Sequence, residues 1–267
     1  MKPFTTIRYI AMVLAPLATT MLSGCEGIFN GVYDEPVAET RSTTAGHLYI
    51  DASNWRQWHY IDLKALAERS ASVPRFNTSS LWVTMDIPTV DISSDVSDAK
   101  NDRAGIYTYW YDVFGSGISN TEYRGFSPTE SQPEPEQWTF AVHRNNVRTN
   151  GCLVVETDFT SISQLPVDSG WTAVLSFAPD EWNQTDVWTL QDRMLNGIIG
   201  SQGIRINNVL GKWLRMTIPP MPPIFEINRH VFILKLPDET FAALQLEDYI
   251  SSNGTKCCLS INYKYPL

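Results

Sequence analysis

The sequence predicts an all-β fold, a single-domain antiparallel sandwich or distorted barrel with one or two short helices. About ten short apolar segments follow one another over residues 47–267, and several alternate between apolar and polar positions. Turn-forming residues separate the segments. The sequence contains no internal repeat and no Rossmann, P-loop or zinc motif. Such a series of short strands is typical of one all-β domain.

The first 24 residues predict a lipoprotein signal peptide. Lys2 and Arg8 give a basic start, and the apolar run at residues 7–21 is too short to span a bilayer. The tetrapeptide LSGC that ends at Cys25 resembles a bacterial lipobox. We therefore expect cleavage before Cys25 and lipidation of its thiol. A plain signal peptide that happens to contain a cysteine is the alternative.

The mature chain is expected to be an acidic body on a lipid anchor. Residues 25–46 are polar and predict a tether between the lipid and the domain. Loss of the two basic residues of the signal peptide changes the net charge from −9 to −11. This charge argues against nucleic acid or an anionic membrane surface as a partner. The lipid would hold the protein in the outer membrane, on the cell surface or the periplasmic face, unless it is shed.

The remaining cysteines do not predict a disulfide framework. With Cys25 lipidated, Cys152, Cys257 and Cys258 are left, so at most one disulfide can form within the chain. Neighbouring cysteines rarely pair, because consecutive side chains of a strand point to opposite faces. A bond from Cys152 to either of the others stays open. The absence of a CxxC motif argues against a zinc or redox site.

Aromatic strands dominate the first half of the domain. Residues 47–51 (HLYID) and 55–63 (WRQWHYIDL) predict two strands joined by a short turn. Residues 81–87 and 105–114 predict two more, the second aromatic on both faces and therefore buried. The aspartate-rich residues 88–103 lack the EF-hand spacing, so a solvated loop is favoured over a calcium site.

Residues 138–150 (WTFAVHRNNVRTN) alternate and predict one strand, with residues 152–157 as its partner. Trp138, Phe140 and Val142 would share one face, and Thr139, Ala141 and His143 the other. The polar cluster of His143, Arg144 and Arg148 is best interpreted as structural, bonded to nearby loop carbonyls and carboxylates. No nucleophile motif accompanies His143, so we predict no enzymatic activity.

A short helix is predicted around Met194. Residues 189–192 (TLQD) resemble an N-terminal cap, and Met194, Leu195 and Ile198 follow at helical spacing. Gly197 and Gly200 would end the helix. Met194 can belong to the core of this helix or face a cleft.

Four prolines frame Met221 in the segment PPMPP, between an apolar run at residues 213–218 and a strand at residues 231–236. Each proline fixes its own φ, so the loop is expected to be stiff and to present Met221 on a rigid mount. Met221 can plug the end of the sandwich or serve as a ligand. Two strands then follow at residues 240–249 and 259–265, with a hairpin turn suggested by Asn253-Gly254.

Taken together, these segments resemble the blocks of the HmuY family, haem-binding lipoproteins of anaerobic bacterial envelopes, some of which act as haemophores. The resemblance covers most of residues 47–267 and is most specific in WTFAVHRNNVRTNG and in the C-terminal third. It implies an all-β, hand-like fold that grips haem between two loops at one end. Residues 69–137 form a longer segment than the corresponding part of the shorter members.

The resemblance implies axial ligands, and here the sequence departs from the best-known type, which uses two histidines. The place of the second histidine falls on Ile218, and neither candidate loop contains a histidine. By similarity to members whose pockets use methionine, Met194 and Met221 are the expected ligands of the haem iron. Met216 is the weaker candidate and is expected in the core or at the rim. A thioether is a soft ligand that suits reduced iron.

The expected function is therefore capture of haem or a related tetrapyrrole. An outer-membrane haem transporter or host haem proteins would be further partners. The alternative is a structural or adhesive lipoprotein of the same fold, which binds a protein, a glycan or another apolar ligand and not haem. The missing histidines and the long segment at residues 69–137 motivate this alternative.

Overall fold

The computed structural model describes residues 46–72, 82–87, 107–111, 123–125, 132–183, 186–189, 198–217 and 224–267. Within these ranges there are sixteen strands and one α-helix, and every strand pair is antiparallel. The predicted all-β class is therefore confirmed. The predicted signal peptide, Cys25, the tether and the aspartate-rich residues 88–103 lie outside the described ranges.

The strands are β1 (His47–Asp51), β2 (Gln57–Ile61), β3 (Trp82–Asp86), β4 (Tyr107–Tyr111), β5 (Tyr123–Gly125), β6 (Phe140–His143), β7 (Asn146–Thr149), β8 (Leu153–Glu156), β9 (Glu181–Asn183), β10 (Ile198–Gln202), β11 (Ile204–Ile206), β12 (Leu214–Thr217), β13 (Ile224–Ile227), β14 (Phe232–Lys235), β15 (Phe241–Ile250) and β16 (Lys256–Lys264). The α-helix α1 spans Leu63–Ser72, and 3-10 helices span Ile162–Gln164, Ser169–Val174 and Leu210–Trp213.

The largest sheet has five strands in the order β1-β16-β15-β14-β8. Its centre is the hairpin of the two longest strands, β15 and β16, and the predicted turn between them is confirmed, with Gly254 at φ +84°. That φ lies in the left-handed region, which glycine adopts without a steric penalty.

A second sheet has four strands in the order β3-β2-β6-β7. Residues 138–150 were predicted as one strand, but they form the hairpin of β6 and β7, which turns at Arg144 with φ +54°. The predicted partner, β8, instead pairs with β14 in the five-stranded sheet. The two-residue turn was missed because arginine is an unusual residue at positive φ.

The two sheets pack face to face, which confirms the sandwich. One buried cluster contains residues of both sheets, among them Leu48, Ile50, Phe140, Val142, Phe232, Leu234, Leu244, Leu246, Leu259 and Ile261. Alternation along each strand places these side chains on the inner faces.

The outer face of the four-stranded sheet carries a second buried cluster. Its members are Trp58, Tyr60, Ile87, Trp138, Ala141, Val187, Ile204 and Ile206. Trp138 precedes β6 and packs here with Ala141, so the prediction that it shares the face of Phe140 and Val142 is wrong. The smaller sheets are β10-β4-β5, β11-β9 and β12-β13.

The only α-helix of the described ranges is not the predicted one. The Asp62 carboxylate caps α1 by accepting hydrogen bonds from the backbone N–H groups of Lys64 (2.9 Å) and Ala65 (3.3 Å). The helix predicted around Met194 is wrong at its C-terminal end, because Ile198 and Gly200 lie in β10, opposite Tyr111 and Tyr109. Its first part lies outside the described ranges.

Cys152, Cys257 and Cys258 are buried free thiols. No bond joins Cys152 to the other two, and the described ranges contain no disulfide. Among the described helices none is long and apolar enough to cross a membrane.

Candidate ligand-binding site

The structure describes one of the three methionines that the sequence singles out. Met216 lies in β12 opposite Phe225, and 42% of its surface is exposed. It is therefore a rim residue, one of the two positions expected for it. Met194 and Met221 lie outside the described ranges.

The chain on either side of Met221 is held in a paired hairpin. Residues 214–217 of β12 pair with residues 224–227 of β13, and the last pair before the segment that carries Met221 is Thr217 with Ile224. The Phe225 ring anchors the hairpin, because its centroid lies 5.0 Å from that of Tyr249 and the Lys256 ammonium lies 4.8 Å above it. The segment that contains Met221 therefore begins and ends at two paired residues, Thr217 and Ile224.

The chain on either side of Met194 is also fixed. Val187 is fully buried in the second cluster, and its carbonyl accepts a hydrogen bond of 2.8 Å from the backbone N–H of Gln202. The Gln202 side chain is fully buried too. It accepts from the indole of Trp58 (2.9 Å) and donates to Gln132. These bonds tie the end of β10 to Val187, which precedes the segment that contains Met194.

A cleft of about 450 Å³ is lined by residues next to both of these fixed regions, the β12–β13 hairpin and the contact of Val187 with Gln202. It is lined by Asp186 on the Met194 side, by Leu214, Arg215 and Met216 on the Met221 side, and by Asn145, Asn146, Val147, Ile206, Asn207, Asn208, Gly211 and Lys212 between them. Its wall thus combines amides and two cations with an apolar portion. Such a mixture suits a largely apolar ligand that has polar groups at one edge.

Asp180 holds Asn207, one of the residues that line the cleft, in place. Its carboxylate accepts hydrogen bonds from the Thr149 backbone N–H (2.7 Å), the Thr149 hydroxyl (2.8 Å) and the Asn207 amide (2.9 Å). The amide oxygen of Asn207 accepts in turn from the backbone N–H of Leu210 (2.8 Å). These bonds join β7 to the chain that leads into Lys212.

All four histidines of the sequence lie in the described ranges, and none lines the cleft. His143 is fully buried, with Nε2 2.8 Å from the carbonyl of Trp55. A carbonyl only accepts, so Nε2 carries the proton of the neutral ring. Burial lowers the pKa of His143 to about 4.

The other histidines are engaged at a distance from the cleft lining. Burial lowers the pKa of His59, whose Nδ1 lies 3.2 Å from the Thr84 hydroxyl. His230 Nδ1 lies 2.9 Å from the Glu156 carboxylate, and His47 lies 3.6 Å from Glu247. None of these rings is placed to coordinate a ligand in the cleft.

The structural interpretation of the arginines is confirmed. The Arg144 guanidinium stacks 3.3 Å from the centroid of Trp55 and donates to the carbonyl of Ser53. Arg148 pairs with Glu134 at 2.7 Å, and its guanidinium lies near the rings of Trp58 and Trp138. Both arginines thus make structural contacts within the domain, and neither lines the cleft.

Sequence reasoning missed the polar lining of the cleft, above all Asn145, Asn146, Lys212 and Arg215. These residues come from two chain segments more than sixty positions apart, and nothing in their local pattern marks them. Only the packing of β7 beside β11 and the following 3-10 helix brings them together.

Comparisons with known proteins agree with this architecture. The family model described as HmuY protein matches residues 54–263. A candidate HmuY-like haem-binding protein from Bacteroides vulgatus is 26% identical, with a TM-score of 0.56, over 86% of this chain and 97% of that chain. No curated protein matches.

Two further solved structures are similar in fold. A candidate lipoprotein from Bacteroides fragilis is 22% identical over 86% of this chain and 95% of that chain, with a TM-score of 0.56. The apo form of an HmuY analogue from Tannerella forsythia is 16% identical over 86% of this chain and 99% of that chain, with a TM-score of 0.56.

Proposed function

Because the chain belongs to the HmuY family, we propose that it is an envelope-anchored lipoprotein that captures haem between the two segments carrying Met194 and Met221. One observation carries the proposal: the cleft of about 450 Å³ is bordered by Asp186 on one side and by Met216 on the other. Each border leads along the chain into one of the two methionine segments.

Methionine, rather than histidine, is the ligand type that we propose for the haem iron. The four histidines are buried or paired, and none lines the cleft. A thioether needs no deprotonation and is a soft donor, so it binds reduced iron better than oxidised iron. Met216 and Ile224 at the base of the Met221 segment are 42% and 48% exposed and offer apolar contact to a flat ligand.

The anchoring part of the proposal rests on the lipobox at Cys25. A lipid there would keep the acidic domain at the outer membrane, within reach of haem and of an outer-membrane haem transporter. The candidate lipoprotein from Bacteroides fragilis, which has the same fold, supports this assignment.

A titration of the purified domain with haem, with and without dithionite, tests the proposal. We expect a saturable Soret band in the reduced sample at a lower haem concentration than in the oxidised sample. No saturable spectral change in either redox state would refute haem capture. An adhesive or structural role, with a protein, glycan or other apolar ligand, would then be the better explanation.

A further inference from the structure

We propose that the cleft binds the acid side chains of a tetrapyrrole through the cations Lys212 and Arg215. This inference rests on the proposed haem capture and adds the part of the ligand that the protein recognises. It predicts that the protein distinguishes a tetrapyrrole dicarboxylate from the same macrocycle without its charges.

The backbone between the two cations is rigid. Trp213 and Leu214 are 1% and 6% exposed and belong to the buried cluster between the two large sheets. Lys212 is the penultimate residue of the 3-10 helix Leu210–Trp213, and Arg215 is the second residue of β12. Both side chains line the cleft, so little backbone entropy is lost when they bind an anion there.

Asp186 is the acidic residue that lines the cleft together with these cations. The Asp186 carboxylate accepts a hydrogen bond from the Asn183 amide at 2.7 Å. Glu226 lies 3.7 Å from Arg215, but the two side chains are 61% and 75% exposed, so this ion pair is weak. The lining of the cleft therefore carries two cations and one carboxylate, on a protein whose net charge is −9. Two more carboxylates, Asp180 and Glu181, accept hydrogen bonds from the lining amides of Asn207 and Asn208.

The charge of Lys212 also contributes to lowering the pKa of the Glu156 carboxyl. It already accepts hydrogen bonds from Asn228 at 2.7 Å and His230 at 2.9 Å. Lys212 therefore influences Glu156 without being its hydrogen-bond partner.

The opposite wall supplies neutral donors. Asn145 lies in the turn between β6 and β7, and Asn146 is the first residue of β7 and only 9% exposed. Their side-chain amides can donate to a carboxylate that Lys212 or Arg215 holds by charge. Arginine in particular matches a carboxylate with two parallel N–H groups.

The chain between Met216 and Met221 is short enough for one ligand to contact both the two cations and Met221. Met221 follows Met216 by five residues, so their Cα atoms are at most about 18 Å apart. An iron held at Met221 and acid groups held beside Met216 can thus belong to the same macrocycle.

The test compares haem with haem dimethyl ester, which keeps the iron and the ring but lacks both charges. We expect the wild-type protein to bind haem about five- to tenfold more tightly than the ester at 50 mM salt, since each cation contributes a partly exposed, charge-assisted contact. The double variant Lys212→Ala/Arg215→Ala should lose this preference and bind the ester as the wild type does. Lys264→Ala, which removes an exposed lysine of β16, should keep the preference.

The outcomes separate the two proposals. Equal affinity of the wild type for haem and ester, or a preference that survives in the double variant, overturns the acid-binding site and leaves haem capture intact. Failure of the wild type to bind either compound overturns both. Urea unfolding of the double variant should match the wild type, because both substituted side chains are exposed.

Discussion

The indole N–H of Trp58 donates a hydrogen bond of 2.9 Å to the side-chain carbonyl of Gln202, a residue 144 positions further along the chain. The bond joins β2 of the four-stranded sheet to the end of β10. Since the backbone N–H of Gln202 also donates to the carbonyl of Val187, Gln202 ties the end of β10 to the chain that precedes the segment containing Met194. Both side chains are fully buried, so water cannot replace either partner.

Replacement of Trp58 by phenylalanine should lower the free energy of unfolding by about 2–3 kcal/mol. The change removes the donor and leaves the buried oxygen of Gln202 unpaired, and it also loses packing in the second cluster. Equilibrium urea unfolding measures this difference. Trp182→Phe is the matched control, because Trp182 is 51% exposed and its replacement should change stability by less than about 0.5 kcal/mol. Equal losses in the two variants would contradict the role given to the Trp58 bond.

Met194→Ala and Met221→Ala should each weaken reduced-haem binding at least about tenfold, equivalent to about 1.4 kcal/mol. Each change removes one thioether, so the spectrum should also shift from that of six-coordinate to that of five-coordinate iron. Anaerobic titration in dithionite measures both effects. Met216→Leu and Met85→Leu conserve volume and should change affinity much less. If both alanine variants keep the wild-type spectrum, the ligand assignment is wrong, although haem capture survives.

Much of the fold could be predicted because its strands show their period locally. The sequence of β16 alternates from Leu259 onward, and its buried Leu259, Ile261 and Tyr263 are those that the sequence places on one face. The hairpin at Arg144 was missed, since the turn residue is atypical and the bonds that support it come from Trp55 and Ser53. Helix α1 was missed although Asp62 caps it, because the strand pattern before it appeared to continue through Leu63.

The cleft was less predictable than the fold. Lys212 and Arg215 look like ordinary solvated charges in the sequence, and Asn145 and Asn146 look like turn residues. Their common position depends on long-range contacts, such as those of Asp180 with Thr149 and Asn207, which no local pattern encodes. Met194 and Met221 stay predictions.

Cys25→Ala should move the protein from the membrane fraction to the soluble fraction of the cell envelope. The net charge of −9 disfavours adsorption of the domain to an anionic lipid surface, so the anchor would supply the membrane affinity. Fractionation followed by immunoblotting measures the distribution. Cys258→Ser is the control, since it removes another thiol far from the N-terminus. Persistence of Cys25→Ala in the membrane fraction would contradict lipidation at this position.

Stability should fall as the pH drops from 7.5 to 5, and His143 should account for a large part of the loss. Burial lowers the pKa of His143 from 6.5 to about 4 in the folded protein. Between these values the unfolded chain binds a proton that the folded protein does not, so the stability present above pH 6.5 is lost on acidification. At pH 5 the loss from this one group is about 2 kcal/mol. His59 acts in the same direction, because burial lowers its pKa as well.

His143→Gln isolates this contribution, because a glutamine amide can still donate to the carbonyl of Trp55 but cannot titrate. The variant can be less stable at pH 7.5 through altered packing, so the measured quantity is the difference in unfolding free energy between pH 7.5 and pH 5. That difference should shrink by about 2 kcal/mol in His143→Gln. It should persist in His47→Gln, which removes a partly exposed imidazole from β1. Because the Asp238 carboxyl has a pKa lowered to about 2 by its hydrogen bond with Lys64, its titration falls below this window. An unchanged difference in His143→Gln would show that His143 takes up its proton without unfolding.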